Sequence, residues 1–123
     1  MTANSQWIDI ATDGGSFKGY LSLPPAGKGP AILLLEEIFG VNKHIRGVAD
    51  QYAQDGYVVL APDMFWRVKP GVELGYEGAD RDAAIAQMQK TDIGTAVRDM
   101  GAAVKALRAM PQVTGKFAAV GYC

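Results

Sequence analysis

The sequence predicts an α/β fold: an N-terminal β-hairpin, then a mostly parallel sheet flanked by helices. Three observations carry that prediction. Residues 31–35 (Ala-Ile-Leu-Leu-Leu) and 57–61 (Tyr-Val-Val-Leu-Ala) are apolar at every position, as strands buried between two helix layers must be. Between them lies a segment whose apolar residues recur at helical spacing. Strand and helix patterns then alternate along the chain, with no internal repeat, low-complexity tract or linker, so residues 1–123 read as part of a single domain.

Each element follows from its local chemistry. Residues 7–12 and 17–23 alternate in polarity around Gly14-Gly15, a turn that tolerates positive φ, and Pro24-Pro25 ends the second run. This is the hairpin. After strand 31–35, Asn42 is placed to cap a helix over 43–55 whose inward stripe is Ile45, Val48, Ala49, Tyr52 and Ala53, with Gly56 at its end. Strand 57–61 follows, closed by Pro62-Asp63, and completes a βαβ unit. Residues 64–78 have no period but carry Phe65, Trp66 and Tyr76, and an aromatic loop of this length is expected to be functional. A helix is predicted over 79–90. A longer one begins at a Thr91 or Asp92 cap, faces inward with Ile93, Val97, Met100, Val104, Leu107 and Met110, and ends before Pro111. Gly94 and Gly101 weaken that helix, which suggests close packing on the sheet. A third buried strand over 116–120 runs into Gly121-Tyr122-Cys123.

Composition excludes several functions. The 123 residues are 49% apolar and 20% charged, an ordinary globular balance, and the net charge of −1 provides no basic field for nucleic acid. The longest apolar runs are far below the roughly 20 residues that span a bilayer, and the first residues lack the basic start and apolar stretch of a secretion signal. A cytoplasmic location without membrane association is expected. One cysteine and one histidine make neither an internal disulfide nor a Cys/His zinc cluster, so no metal or cofactor is expected.

The chemistry concentrates at strand ends. A buried strand running into Gly-x-Cys supplies three of the five positions of a Gly-x-(Ser/Cys)-x-Gly nucleophile elbow, with Cys123 at the centre. Taken alone, the tripeptide also fits a small buried structural cysteine. In open α/β sheets, ligands bind at the carboxyl ends of parallel strands, where Glu36-Glu37-Ile38-Phe39-Gly40 and residues 63–66 also fall. Adjacent acids after five apolar residues are costly as sheet filler, so one of them is expected to face the site.

Glu37-Ile38-Phe39-Gly40-Val41-Asn42, Pro62-Asp63 and Val120-Gly121-Tyr122-Cys123 together resemble the dienelactone hydrolase family of the α/β-hydrolase superfamily, in family order and near family spacing. The resemblance covers almost the whole chain, from hairpin to elbow. It implies that Cys123 is the nucleophile and that Glu37 contacts and deprotonates its thiol. It also implies that the Ile38 N–H is one oxyanion-hole donor and that Arg81 holds a substrate carboxylate. Phe39 and Glu36 are expected to contact substrate, Glu36 standing where the family usually has a neutral residue. Ile85 and Met88 replace family aromatics, which suggests a different acyl pocket. The order nucleophile, acid, histidine in this fold puts the catalytic Asp and His after Cys123, leaving His44 as a surface or capping residue.

The expected function is hydrolysis of a small carboxylate-bearing lactone or ester, carboxymethylenebutenolidase-like, through a Cys123 acyl-enzyme without cofactor. The full-length protein is expected to be a monomer, and residues 1–123 are read as its N-terminal half, inactive in isolation. Two other readings stay open: a general carboxylesterase or thioesterase of the same fold, and a non-catalytic α/β binding domain with a structural cysteine.

Overall fold

The reason residues 31–35 and 57–61 are apolar at every position is visible in the computed structural model, which describes residues 4–12, 14–36 and 38–121. Each strand buries both of its faces. On β3 (Gly29–Leu35), Ala31 and Leu33 face one layer while Ile32 and Leu34 face the other; on β4 (Val58–Pro62), Val58 and Leu60 oppose Val59 and Ala61 in the same way. One core joins these side chains to Ile10, Phe17 and Leu21 of the hairpin and to Ala103 and Leu107 of helix α3 (Ile93–Arg108). The other packs them on Ile45, Ala49 and Ala53 of helix α1 (Lys43–Gln54).

The sheet has five strands in the order β1-β2-β4-β3-β5. Strands β1 (Asn4–Thr12) and β2 (Gly15–Leu23) form the hairpin, and β2 joins β4 antiparallel. Strand β3 pairs in parallel with β4 on one side and with β5 (Val113–Gly121) on the other. The register Leu33↔Leu60 and Leu35↔Gly121 brings the carboxyl ends of these three strands to one side of the sheet.

Helix α1 starts as its sequence indicates: the Asn42 side chain accepts the Ile45 N–H at 3.1 Å, and Gly56 follows the end at φ 109°. Helix α2 (Gly78–Lys90) buries only Ala84 and Gln87.

The structure corrects three expectations. Helix α3 departs from the predicted stripe in its first half: Ile93 and Val97 are 77% and 55% exposed and Asp99 is buried, whereas Leu107 is buried as predicted and Val104 and Met110 pack against the core. The sequence pattern missed this because the buried acid Asp99 lies on the inward face. It accepts hydrogen bonds from the Trp66 indole N–H (2.9 Å) and from the Arg67 guanidinium (2.9 and 3.1 Å), so the layer is closed by a polar anchor. Gly94 and Gly101 do not pack on the sheet, being exposed, and a Cβ at Gly101 would meet nothing within 4 Å. Strand β5 is the edge of the described sheet and mostly exposed rather than buried, since β3 alone pairs with it.

Candidate active site

The end of β3 is held by a series of separate contacts. Glu36, directly after the strand, accepts the Met64 N–H through Oε1 at 2.6 Å and so ties this end to the segment that follows β4. Two residues on, the Ile38 carbonyl accepts a hydrogen bond from Gln87 Nε2 of α2 at 2.6 Å. The Phe39 carbonyl accepts the Leu74 N–H at 2.8 Å, and the Phe39 ring meets Tyr76 edge-on with centroids 4.5 Å apart. Gly40 then bridges Glu73 at φ 87°, so close to the returning chain that an added Cβ would lie 1.9 Å from the Val72 carbonyl oxygen. No side chain fits there.

Asn42 finishes the clamp. Besides capping α1, its Nδ2 donates to the Leu74 carbonyl and to the Tyr76 hydroxyl, both at 3.2 Å. Arg46, one turn on, donates to the Val41 carbonyl at 2.9 Å and pairs with Glu73. The segment from Ile38 to Asn42 is therefore a fitted piece of backbone rather than a loose loop.

Two buried acids sit beneath it. Burial pushes the Glu36 carboxyl well above the ordinary carboxylate range, the negative charge of Asp63 adds to the rise, and the Met64 N–H offsets only part of it. Burial likewise raises Asp63, against hydrogen bonds from the Gly71 and Phe65 N–H groups. Each acid keeps one buried oxygen, Glu36 Oε2 and Asp63 Oδ1, with no partner among the described residues. Asp63 also lines a cavity of about 370 Å³ together with Trp7, Lys18 and Val41. Among the described residues, no group of three or more His, Cys, Asp or Glu side chains is arranged to hold a metal ion.

The expected site residues fare differently. Ile38, Phe39 and Glu36 fall together at the β3 end. Arg81 lies in the first turn of α2, exposed, and pairs with no carboxylate among the described residues; on the same helix Met88 is exposed and Ile85 half-buried. Glu37 and Cys123 lie outside the described residues. Trp66, in the loop expected to be functional, is structural: it stacks on Phe17 with centroids 5.3 Å apart and bonds Asp99. His44 is exposed in the first turn of α1, its ring edge-on to Tyr76 at 6.4 Å. Sequence reasoning missed Gln87, and the available signal was a glutamine three residues after the buried Ala84 on the same helical face.

A mixed sheet whose parallel strands β3 and β4 are covered on both faces, with a tailored segment at the carboxyl end of β3 and a Gly-x-Cys sequence beginning where the neighbouring strand ends, defines an α/β-hydrolase fold. Residues 17–123 match the model of the dienelactone hydrolase family, and the chain belongs to that family. It is 33% identical over 121 residues to carboxymethylenebutenolidase 1 of Cupriavidus pinatubonensis, covering 97% of this chain and 52% of that one. It is 35% identical over 114 residues to a carboxymethylenebutenolidase of a Pseudomonas species, covering 92% and 48%. Among solved structures it resembles a dienelactone hydrolase-like promiscuous phosphotriesterase, P91, from metagenomic libraries (TM-score 0.76, 28% identity, all of this chain and 50% of that one). A Klebsiella pneumoniae protein assigned to the dienelactone hydrolases shares the fold (TM-score 0.79, 20% identity, 98% and 50%). The chain spans about half the length of the curated relatives it matches.

Proposed function

We propose that the full-length protein hydrolyses a small lactone or ester bearing a carboxylate, as the names of its carboxymethylenebutenolidase relatives suggest, with Cys123 as nucleophile. The observation that carries the reading is the β3–β5 register. Gly121 pairs with Leu35, so the strand leading to Cys123 ends beside the end of β3, from which the clamped segment carrying Ile38 continues. In this reading Glu37 takes the thiol proton, the thiolate adds to the substrate carbonyl, and the Ile38 N–H donates to the oxygen that becomes negative. Collapse breaks the carbon–oxygen bond to give an acyl-enzyme, which water then hydrolyses. Arg81, exposed and without an ion-pair partner among the described residues, is available to a substrate carboxylate through its guanidinium fork. Phe39 supplies an apolar wall.

The test is acyl transfer by the full-length protein. Cys123→Ala should abolish turnover while leaving the melting midpoint near wild type, and Glu37→Gln should lower kcat more than Glu36→Gln does. Arg81→Ala should raise KM for carboxylate-bearing substrates and hardly affect neutral esters. Near wild-type turnover in Cys123→Ala would refute the assignment.

A further inference from the structure

Among the described residues, the segment carrying Ile38 is clamped downstream by Gln87, Leu74 and Asn42, and upstream by the Glu36 side chain. That clamp has an unusual feature. Glu36 Oε1 accepts the Met64 N–H and Asp63 Oδ2 accepts the Gly71 N–H at 2.8 Å, while the second oxygen of each acid is buried without a partner among the described residues. Two ionised carboxylates confined this way would each bear an unsolvated oxygen and would repel one another.

We propose that Glu36 and Asp63 carry one negative charge between them, with the proton resident on Glu36, and that Glu36 is thereby a positioning residue for the Ile38 segment. As a neutral acid, Glu36 still accepts the Met64 N–H through its carbonyl oxygen, and its second oxygen bears a proton instead of an unsolvated charge. Loss of that proton places two charges between the segments that follow β3 and β4. Repulsion then parts them and displaces the Ile38 N–H from the position of the developing oxyanion.

Among the described residues, the surrounding charges offer no relief. Lys18 and Glu73 line the cavity beside Asp63, but Lys18 is paired with Asp9 at 2.6 Å and Glu73 with Arg46. Arg67, on the loop after β4, is drawn to Asp99 at 2.9 Å. The direction of both acids agrees with this account: burial and mutual repulsion raise Glu36, and burial raises Asp63.

The sign of the pH effect follows. A carboxyl raised on folding keeps its full contribution below its ordinary value, 4.5 for Glu36, and stability is lost as pH rises from there through the raised value. The positioning role rests on reading Ile38 as an oxyanion donor, whereas the retained proton does not.

The experiment uses the full-length protein. Wild type should show the infrared carbonyl band of a protonated carboxyl at neutral pH, and Glu36→Gln should lack it. The melting midpoint of wild type should fall by about 3 to 5 °C per pH unit across the titration, and that fall should vanish in Glu36→Gln, a neutral isostere. Asp63→Asn, which removes the repelling charge, should move the titration to lower pH. In turnover, wild type should show an alkaline fall in kcat that Glu36→Gln lacks, while Glu36→Ala, without the Met64 bond, is impaired at every pH. Absence of the carbonyl band in wild type, or the same pH profile in wild type and Glu36→Gln, would overturn the proposal. The band and the melting profile need no substrate. They decide the proton's location even if Cys123 is not the nucleophile, and failure of Cys123→Ala to abolish turnover leaves them unaffected.

Discussion

Gly40 shows how little freedom the β3 end has. Its φ of 87° is a conformation that L side chains rarely adopt, and the Val72 carbonyl oxygen occupies the place where a Cβ would start. Gly40→Ala therefore combines backbone strain with a clash against main chain that cannot rotate away. A loss of at least about 2 kcal/mol is expected, read as a lower melting midpoint in the full-length protein. An unchanged midpoint would mean that the segment from Ile38 to Asn42 relaxes freely and is not the fitted piece described above. Asn42 was legible in the sequence as a helix cap, and it is one. Its second task, donating to Leu74 and Tyr76 more than thirty residues away, depends on where the chain returns and leaves no local signature. Glu36 is similar: adjacency to Glu37 marked it as unusual, but its burial and its bond to Met64 follow from the packing of β3 beside β4.

At the scale of elements, α3 is the instructive helix. Its second half packs through the predicted Val104, Leu107 and Met110, but in its first half Asp99 is turned inward to receive Trp66 and Arg67 while Ile93 and Val97 point to solvent. A periodicity count treats a buried acid as evidence for the outside. Gly101 lies on the outward face: it is exposed, lies within a helix, and would place a Cβ in open space. Gly101→Ala should stabilise the full-length protein by up to about 1 kcal/mol through helix propensity and reduced freedom of the unfolded chain. A drop in melting midpoint would show that another part of the full-length protein packs against this position. The hairpin carries a comparable polar fastener. The hydroxyls of Ser5, Tyr20 and Ser22 all donate to Asp50 of α1, at 2.5 to 3.1 Å. Three hydroxyls and an acid spread over 46 positions are invisible as a motif until the hairpin folds over the helix.

For the molecule as a whole, β5 decides how residues 1–123 behave by themselves. It is nine residues long, pairs with β3 on one side, and is largely exposed, with Phe117 and Val120 only half covered. An open edge of that length is a template for another strand. The 1–123 polypeptide produced alone is accordingly expected to self-associate through β5 and to be inactive toward esters. Light scattering after size exclusion checks the first point and an ester assay the second; a soluble monomer that turns over substrate would contradict both.

The amino-acid sequence by itself determined the α/β class, the hairpin, the two strands buried on both faces, the cap of α1 and the family, because each is written in local pattern or in contiguous residues. Only the tertiary structure decided that α3 buries Asp99 in place of Ile93 and Val97, that Trp66 and Arg67 anchor to Asp99, that Gln87 holds the Ile38 carbonyl, and that Glu36 and Asp63 share buried space. The physical reason is common to all four. Each joins polar groups far apart in the chain, and the free energy of a buried polar group is set by partners that arrive only when the layers pack.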